Sequence, residues 1–215
     1  MNLVTRLIFI FILACCLSNA LNAQKYHLFQ AGFSIKEKRT GTEKSTLMMG
    51  KVSYDNHQNK AEYFLSFPQK ERWVIQDSTL HKYVGDSLVT TKVLGQVNDF
   101  IMFKNILEYK DNDFGLSSAG FVITSVQESD EELIMEWEPP SAFKSFLKKV
   151  ITHVKDNLLM GIVFYDVEEK EINKTFYENY QIIKDLPVPM KIVSQYSGNE
   201  QQLYKSITFD NVVVE

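Results

Sequence analysis

Residues 26–38 read YHLFQAGFSIKEK, and how this stretch is taken decides the fold. Phe29, Ala31, Phe33 and Ile35 share one parity, and Leu28, Gln30 and Gly32 share the other. Period-two alternation of this kind marks a strand with one face on a core and the other toward water. Similar stretches follow on its C-terminal side. RTGTEKST (39–46) is a polar turn, LMMGKVSYD (47–55) a second strand, and NHQN (56–59) another turn. KAEYFLSF (60–67) ends at Pro68, and RWVIQD, LHKYVG and SLVTTKVL carry the pattern to residue 94.

The pattern resumes beyond residue 118. AGFVITSVQE, ELIMEWE, KKVITHVK, LLMGIVFYDVEE, INKTFYENYQII, MKIVSQYSG and YKSITFDNVVVE each read as strand. Pro139 and Pro140 interrupt them, and Ser141 is placed to cap one helical turn through Phe146. Short turns, with strands recurring roughly every 10 to 15 residues, predict one antiparallel meander of about a dozen strands. The chain shows no internal repeat, low-complexity tract or interdomain linker. The predicted class is mainly β: a single antiparallel sheet curled into an incomplete, half-open barrel with a helical lid.

The lid, or plug, is NDFIMFKNILEYK (98–110), the one helix-like stretch of any length. Phe100, Ile101, Met102, Phe103, Ile106 and Leu107 cover more than half of its circumference, wider than a surface helix needs. Phe100, Phe103 and Leu107 fall at i, i+3 and i+7 and share one face, predicted to point into the barrel. Ile101 and Met102 lie off that stripe and are expected to meet the rim or a moving neighbour. Asn98, Lys104, Asn105 and Glu108 leave a thin polar strip for solvent. On the wall, Phe29, Phe33, Met49, Phe64 and Phe164 are expected on the concave side. Methionine is the adaptable filler of apolar sites. A barrel of about a dozen strands is too wide to be filled from its wall alone. A helix, a ligand, or each in turn must occupy the space.

The 215 residues are 45% hydrophobic, enough for one domain with a sizeable core. The formal charge is −4 with no basic block, which argues against a nucleic-acid partner. At the N-terminus, Arg6 precedes the apolar run LIFIFILACCLSNALNA. Leu7 to Leu13 is too short to span a membrane, which takes about 20 apolar residues. Together with the Leu21-Asn22-Ala23 junction it reads as a secretory signal over residues 1–23, cut to leave Gln24 first. The expected address is the periplasm, and 24–215 is the expected mature domain. The alternative is a lipid anchor on Cys15 or Cys16, since ILAC and LACC loosely resemble a lipoprotein cleavage box. These adjacent cysteines cannot join distant segments or hold a metal.

Catalytic motifs are absent. His27, His57, His81 and His153 form no local metal-binding pair, and neither G-x-S-x-G, a P-loop nor G-x-G-x-x-G occurs. No cofactor or metal is expected. The carboxylates Glu131, Glu132, Glu136, Glu138, Asp166, Glu168, Glu169 and Glu171 would admit an acid–base pair, but runs such as DVEEKE read better as solvated hairpin ends. Asn173 opens an N-K-T sequon inside a strand pattern.

The order of segments resembles a family. FQAGFSIKEK is followed by GKVSYDNHQNKAEYFLSFPQKERWVIQDSTLHKYV, a helical insert, paired strands, and LPVPMKIVSQYSG with YKSITFDNVVVE at the end. This is similar to the periplasmic lipoprotein carrier LolA and its outer-membrane receptor relative LolB. Shared features are a glycine-led strand, a strand ending near a proline, and a spaced set read here as Val74, Asp77, Leu80 and Tyr83. The resemblance implies an incomplete antiparallel barrel, lidded by helices, that holds acyl chains in an apolar cavity. It implies a non-enzymatic carrier moving lipids or lipoproteins toward the outer membrane. The partners would be acyl chains and a membrane-bound donor or acceptor protein, and the chain would be a monomer. The lipid-binding set would be Phe29, Phe33, Met49, Phe64, Phe100, Phe103, Leu107 and Phe164. Two features depart from the family. Gln24 leads almost directly into strand, without the carrier's N-terminal helix. The turn matching the carrier's basic one is DNHQN, where Asn56 and His57 stand in place of an arginine. Two other functions stay open: a structural or interaction protein of the envelope on the same scaffold, and a hydrolase built from distant carboxylates.

Overall fold

A computed structural model of the chain describes residues 27–94, 99–108, 113–129, 132–198 and 201–215, with helical side chains described from Met102 onward. The expected signal segment, Cys15, Cys16 and the side chain of Phe100 lie outside the described residues. Six strands come first: β1 (Leu28–Arg39), β2 (Ser45–Asp55), β3 (Lys60–Phe67), β4 (Glu71–Gln76), β5 (Thr79–Val84) and β6 (Ser87–Val93). Helix α1 (Asp99–Glu108) follows. Seven more strands complete the chain: β7 (Val122–Ser129), β8 (Glu132–Glu138), β9 (Lys149–Lys155), β10 (Leu158–Tyr165), β11 (Glu171–Ile183), β12 (Leu186–Ser197) and β13 (Gln202–Val214).

All the strands belong to one antiparallel sheet in the order β6-β5-β4-β3-β2-β1-β13-β12-β11-β10-β9-β8-β7. The first and last strands are thus neighbours at its centre, paired from Phe29 opposite Val214 to Arg39 opposite Leu203. β6 and β7 are the two edges. No ladder joins them among the described residues, so the sheet is an open half-barrel. β6 finishes beside the β4–β5 turn, whereas β7 begins opposite the end of β8. The connection between them, which carries α1, therefore crosses from one end of the sheet to the other.

The strand pattern behaves as alternation requires. Phe29, Ala31, Phe33 and Ile35 of β1 are all buried, and Gln30 and Lys36 are exposed. Their partners continue the same inner face: Val52 and Tyr54 on β2, Ala61 and Leu65 on β3, Ile192 on β12 and Phe209 on β13. On the other side of the barrel, Trp137, Val150, Thr152, Ile162 and Tyr177 are almost fully buried. Trp137 Nε1 donates to Thr152 Oγ1 at 2.9 Å, so this buried pair is satisfied.

The connection completes the core on that side. Met102, Phe103, Ile106 and Leu107 of α1 and Phe114, Leu116 and Phe121 after it all join the buried cluster. Asn105 Nδ2 donates to the Phe114 carbonyl at 2.7 Å and ties the helix to the following loop. At the helix end, Tyr54 of β2 donates to Glu108 Oε1 at 3.0 Å. α1 is therefore a plug set into the open side rather than a cap laid over it. Met102, expected at the rim or against a moving neighbour, is 4% exposed and belongs to the same buried cluster as Phe114, Leu116 and Phe121 of the following loop.

β12 begins earlier than the alternation indicates, taking in Pro187 and Pro189. Residues 186–189 pair with β11 only, and pairing with β13 starts at Lys191. A strand with one free edge tolerates proline, whose missing N–H breaks no ladder there.

Candidate apolar binding cavity

The plug does not fill the barrel. A cavity of about 340 Å³ remains between the plug and the strands on the other side. Its wall comes from Phe33 and Ile35 of β1, Tyr63 of β3, Trp73 and Ile75 of β4 and Leu80 of β5. Leu94 after β6, Ile192 of β12 and Ile207 and Phe209 of β13 complete the apolar lining, and Phe103 closes it from α1. Alternation puts these residues on one face: Ile35 stands opposite Ile207, Phe33 opposite Phe209, Tyr63 opposite Trp73 and Ile75 opposite Leu80.

Aromatic contacts fix the inner end. The Phe103 ring stacks on Phe209 at 4.8 Å and meets Phe29 edge-on at 5.6 Å. Phe33 meets Tyr63 edge-on at 5.4 Å. Such pairs add about 0.5–1.5 kcal/mol beyond the area they bury. On the β4–β5 side, Lys82 Nζ lies 4.0 Å from the centre of the Trp73 ring. Trp73 Nε1 donates to Glu71 Oε2 at 2.6 Å. Hydrogen bonds from Gln69 and then from Trp73 hold the Glu71 carboxyl below its ordinary range.

Of the eight residues expected to contact lipid, Phe33 and Phe103 line the cavity. Phe29 is fully buried behind Phe103, Leu107 is buried in the plug, and Phe164 is buried on the inner face of β10. The Phe100 side chain lies outside the described residues. Phe64 and Met49 are misplaced by the expectation. Both lie on the convex face, 45% and 44% exposed. Phe64 stands opposite Lys51 and Arg72, and Met49 opposite Ser34. On β3 the inner parity belongs to Ala61, Tyr63 and Leu65, locked by Tyr54 opposite Ala61 and Val52 opposite Tyr63. On β2 it belongs to Met48, which stands opposite Ile35. The register shift between Met49 and Gly50 sits beside them, and a Cβ at Gly50 would collide with the Phe64 carbonyl oxygen.

The alternation in residues 207–209, and the aromatic Trp73, were available to find Ile207, Phe209 and Trp73, which the expected set lacks. Asn173, Tyr196 and Lys205 complete the lining, and no apolar pattern could have found them. Asn173 faces the cavity from inside a strand. His57 meets His27 in a stacked pair, with ring centres 6.0 Å apart. The carboxylates are drawn into surface ion pairs: Glu132 with Lys155, Glu136 with Lys149, and Glu138 with Lys144. A second cleft, of about 370 Å³ between Thr124, Trp137 and Lys148, is walled by the last two of these pairs. Among the described residues, no three His, Cys, Asp or Glu side chains gather closely enough to hold a metal.

No family model matches the chain, and no curated protein matches it. Solved structures do. A LolA superfamily protein from Nitrosomonas europaea superposes with a TM-score of 0.59 at 13% identity, covering 88% of this chain and 87% of that one. A DUF1329 family protein from Desulfovibrio piger gives 0.60 at 12% identity, over 95% and 91% of the two chains. An outer membrane lipoprotein-sorting protein domain from Vibrio parahaemolyticus gives 0.59 at 8% identity, over 88% and 86%. At these identities the likeness is one of architecture: over nearly its whole described length, the chain has the LolA-like fold.

Proposed function

We propose that this chain is an exported, non-enzymatic carrier that holds an acyl chain in the cavity beneath α1 and passes it toward the outer membrane. The observation that carries the reading is an apolar space left unfilled between a sheet and a plug made of the same chain. Burial of an acyl chain supplies about 0.8 kcal/mol per methylene. The plug docks mainly by apolar contacts, so a guest chain competes for the same surface at Phe103 and Phe209. The likeness to an outer membrane lipoprotein-sorting domain supports an envelope address. So does the expected cut after Ala23, for which intact mass should show a chain beginning at Gln24. A lipidated Cys15 or Cys16 would instead place the carrier on a membrane surface. A membrane-bound donor or acceptor protein would load or unload it, and it would act as a monomer.

The test is titration of delipidated protein with a fluorescent fatty acid. Ile207→Trp places an indole in the cavity and is expected to weaken binding roughly tenfold or more, with the far-ultraviolet circular dichroism unchanged. Absence of saturable binding in the unmodified chain defeats the reading. The alternative, an interaction protein of the envelope, draws support from the edge strands β6 and β7, where every described side chain is exposed. Native mass spectrometry separates the two. Copurified lipid supports the carrier, and a lipid-free chain held by a protein partner supports the alternative.

A further inference from the structure

The inner face changes character at a single row of the sheet. One row reads Tyr177, Ile192, Ile207, Ile35 and Met48 across β11, β12, β13, β1 and β2. The next row toward the β12–β13 turn reads Thr175, Ser194, Lys205, Glu37 and Thr46. Not one side chain in the first of these is charged, and not one in the second is apolar. Thr175 and Ser194 are 3% and 1% exposed, and Thr175 Oγ1 donates to Ser194 Oγ at 2.9 Å. A row further out, Asn173 stands opposite Tyr196. Asn173, Tyr196 and Lys205 are the polar members of the cavity lining, and all three lie at this end. Phe209, under Phe103, lies four residues from Lys205 along β13, about 13 Å at strand spacing. The cavity is therefore apolar at its plugged end and polar at the other.

Resting on the lipid-binding reading above, we infer that the cavity selects a single-chain amphiphile with an anionic head, a carboxylate or a phosphate. The chain lies along Ile192, Ile207 and Phe209, and the head meets Lys205 with Asn173 and Tyr196 beside it. The volume argues for one chain, since 340 Å³ is at the low end of the roughly 300–1,000 Å³ of small-molecule sites. The charge argues for an anion. Lys205 is the cation of the lining, with Glu37 opposite it in register, and an ammonium carries three donors that wall and ligand can share. Lys82, on the same face, is held over the Trp73 ring. A hydrogen bond to a charged partner is worth more than a neutral one, enough for roughly tenfold in affinity.

The experiment compares fluorescent hexadecanoic acid with its methyl ester, which keeps the chain and caps the head as a neutral group, and uses hexadecyl phosphate as competitor. In the unmodified, delipidated protein the acid is expected to bind about tenfold more tightly than the ester. Lys205→Met should bring the acid down to the ester's affinity and leave the ester unchanged, and Lys205→Arg should restore most of the difference. Whichever of hexadecanoate and hexadecyl phosphate competes better identifies the head group. Equal affinity for acid and ester in the unmodified protein overturns the inference while leaving the cavity reading intact. So does an equal loss for both probes in Lys205→Met. Failure of every probe to bind removes the cavity reading, and this inference with it.

Discussion

At the scale of the residue, position on the pleat outweighs side-chain type. Phe29 and Phe64 are the same amino acid on strands two apart, yet one is fully buried and the other 45% exposed. Phe29→Ala is expected to cost about 3–5 kcal/mol in chemical denaturation, because it empties a site packed by Phe103 and Phe209. Phe64→Ala should stay within about 0.5 kcal/mol, as for most surface changes. Comparable losses at both positions would show that the face assignment of β3 is wrong. Glu71 offers a test by pH. Its carboxyl is held below its ordinary value of 4.5 by hydrogen bonds from Gln69 and Trp73. A group whose pKa is depressed on folding stabilises the fold above its unfolded pKa, and that contribution is lost as pH falls through the folded value. Acidification below about pH 4.5 should therefore destabilise the unmodified protein more than Glu71→Gln. Parallel stability profiles for the two would show that these bonds do not form in solution.

At the scale of the element, α1 is the piece whose environment differs most from its reading in isolation. A ten-residue helix is marginal by itself. It is held by Phe103 on Phe209, by Tyr54 on Glu108, by the Lys104–Glu108 pair at 3.4 Å, and by Asn105 on the Phe114 carbonyl. The last bond joins helix to loop rather than helix to sheet. Asn105→Ala should thus loosen the plug by about 1 kcal/mol without disturbing the wall. Hydrogen exchange should quicken in α1 and residues 113–121 and stay unchanged in β1 and β13. A uniform change through β1 and β13 as well would mean that plug and wall unfold as one unit. Two apolar positions beyond the first stripe, Met102 and Ile106, were legible as apolar but not as buried. The cluster they join includes Phe114, Leu116 and Phe121, which lie after the helix in sequence and come together with it only in the folded chain.

At the scale of the whole molecule, the chain leaves from the centre of the sheet, works out to one edge, crosses the open side, and returns from the other edge to the centre. The edge strands β6 and β7 have one strand neighbour each and no buried side chain. β1 and β13 have two neighbours each and are joined by ten paired positions. Native-state exchange should accordingly be fastest in β6 and β7 and slowest in β1 and β13. Slow exchange at both edges would point to pairing that the isolated chain lacks. Strand content, antiparallel succession and the single interrupting helix follow from the sequence alone, because alternation and turn residues act over a few positions. The burial of Phe29, Ala31, Phe33 and Ile35 follows the same way. Which parity of β2 and β3 faces inward was settled only in the folded sheet, since a bulge or a one-residue slip exchanges the two faces. The cavity, too, belongs to the tertiary structure. Its lining gathers residues from seven strands and the helix, from Phe33 to Phe209. Its polar end exists because Thr175, Ser194, Lys205 and Glu37, far apart in the chain, fall into register on one row.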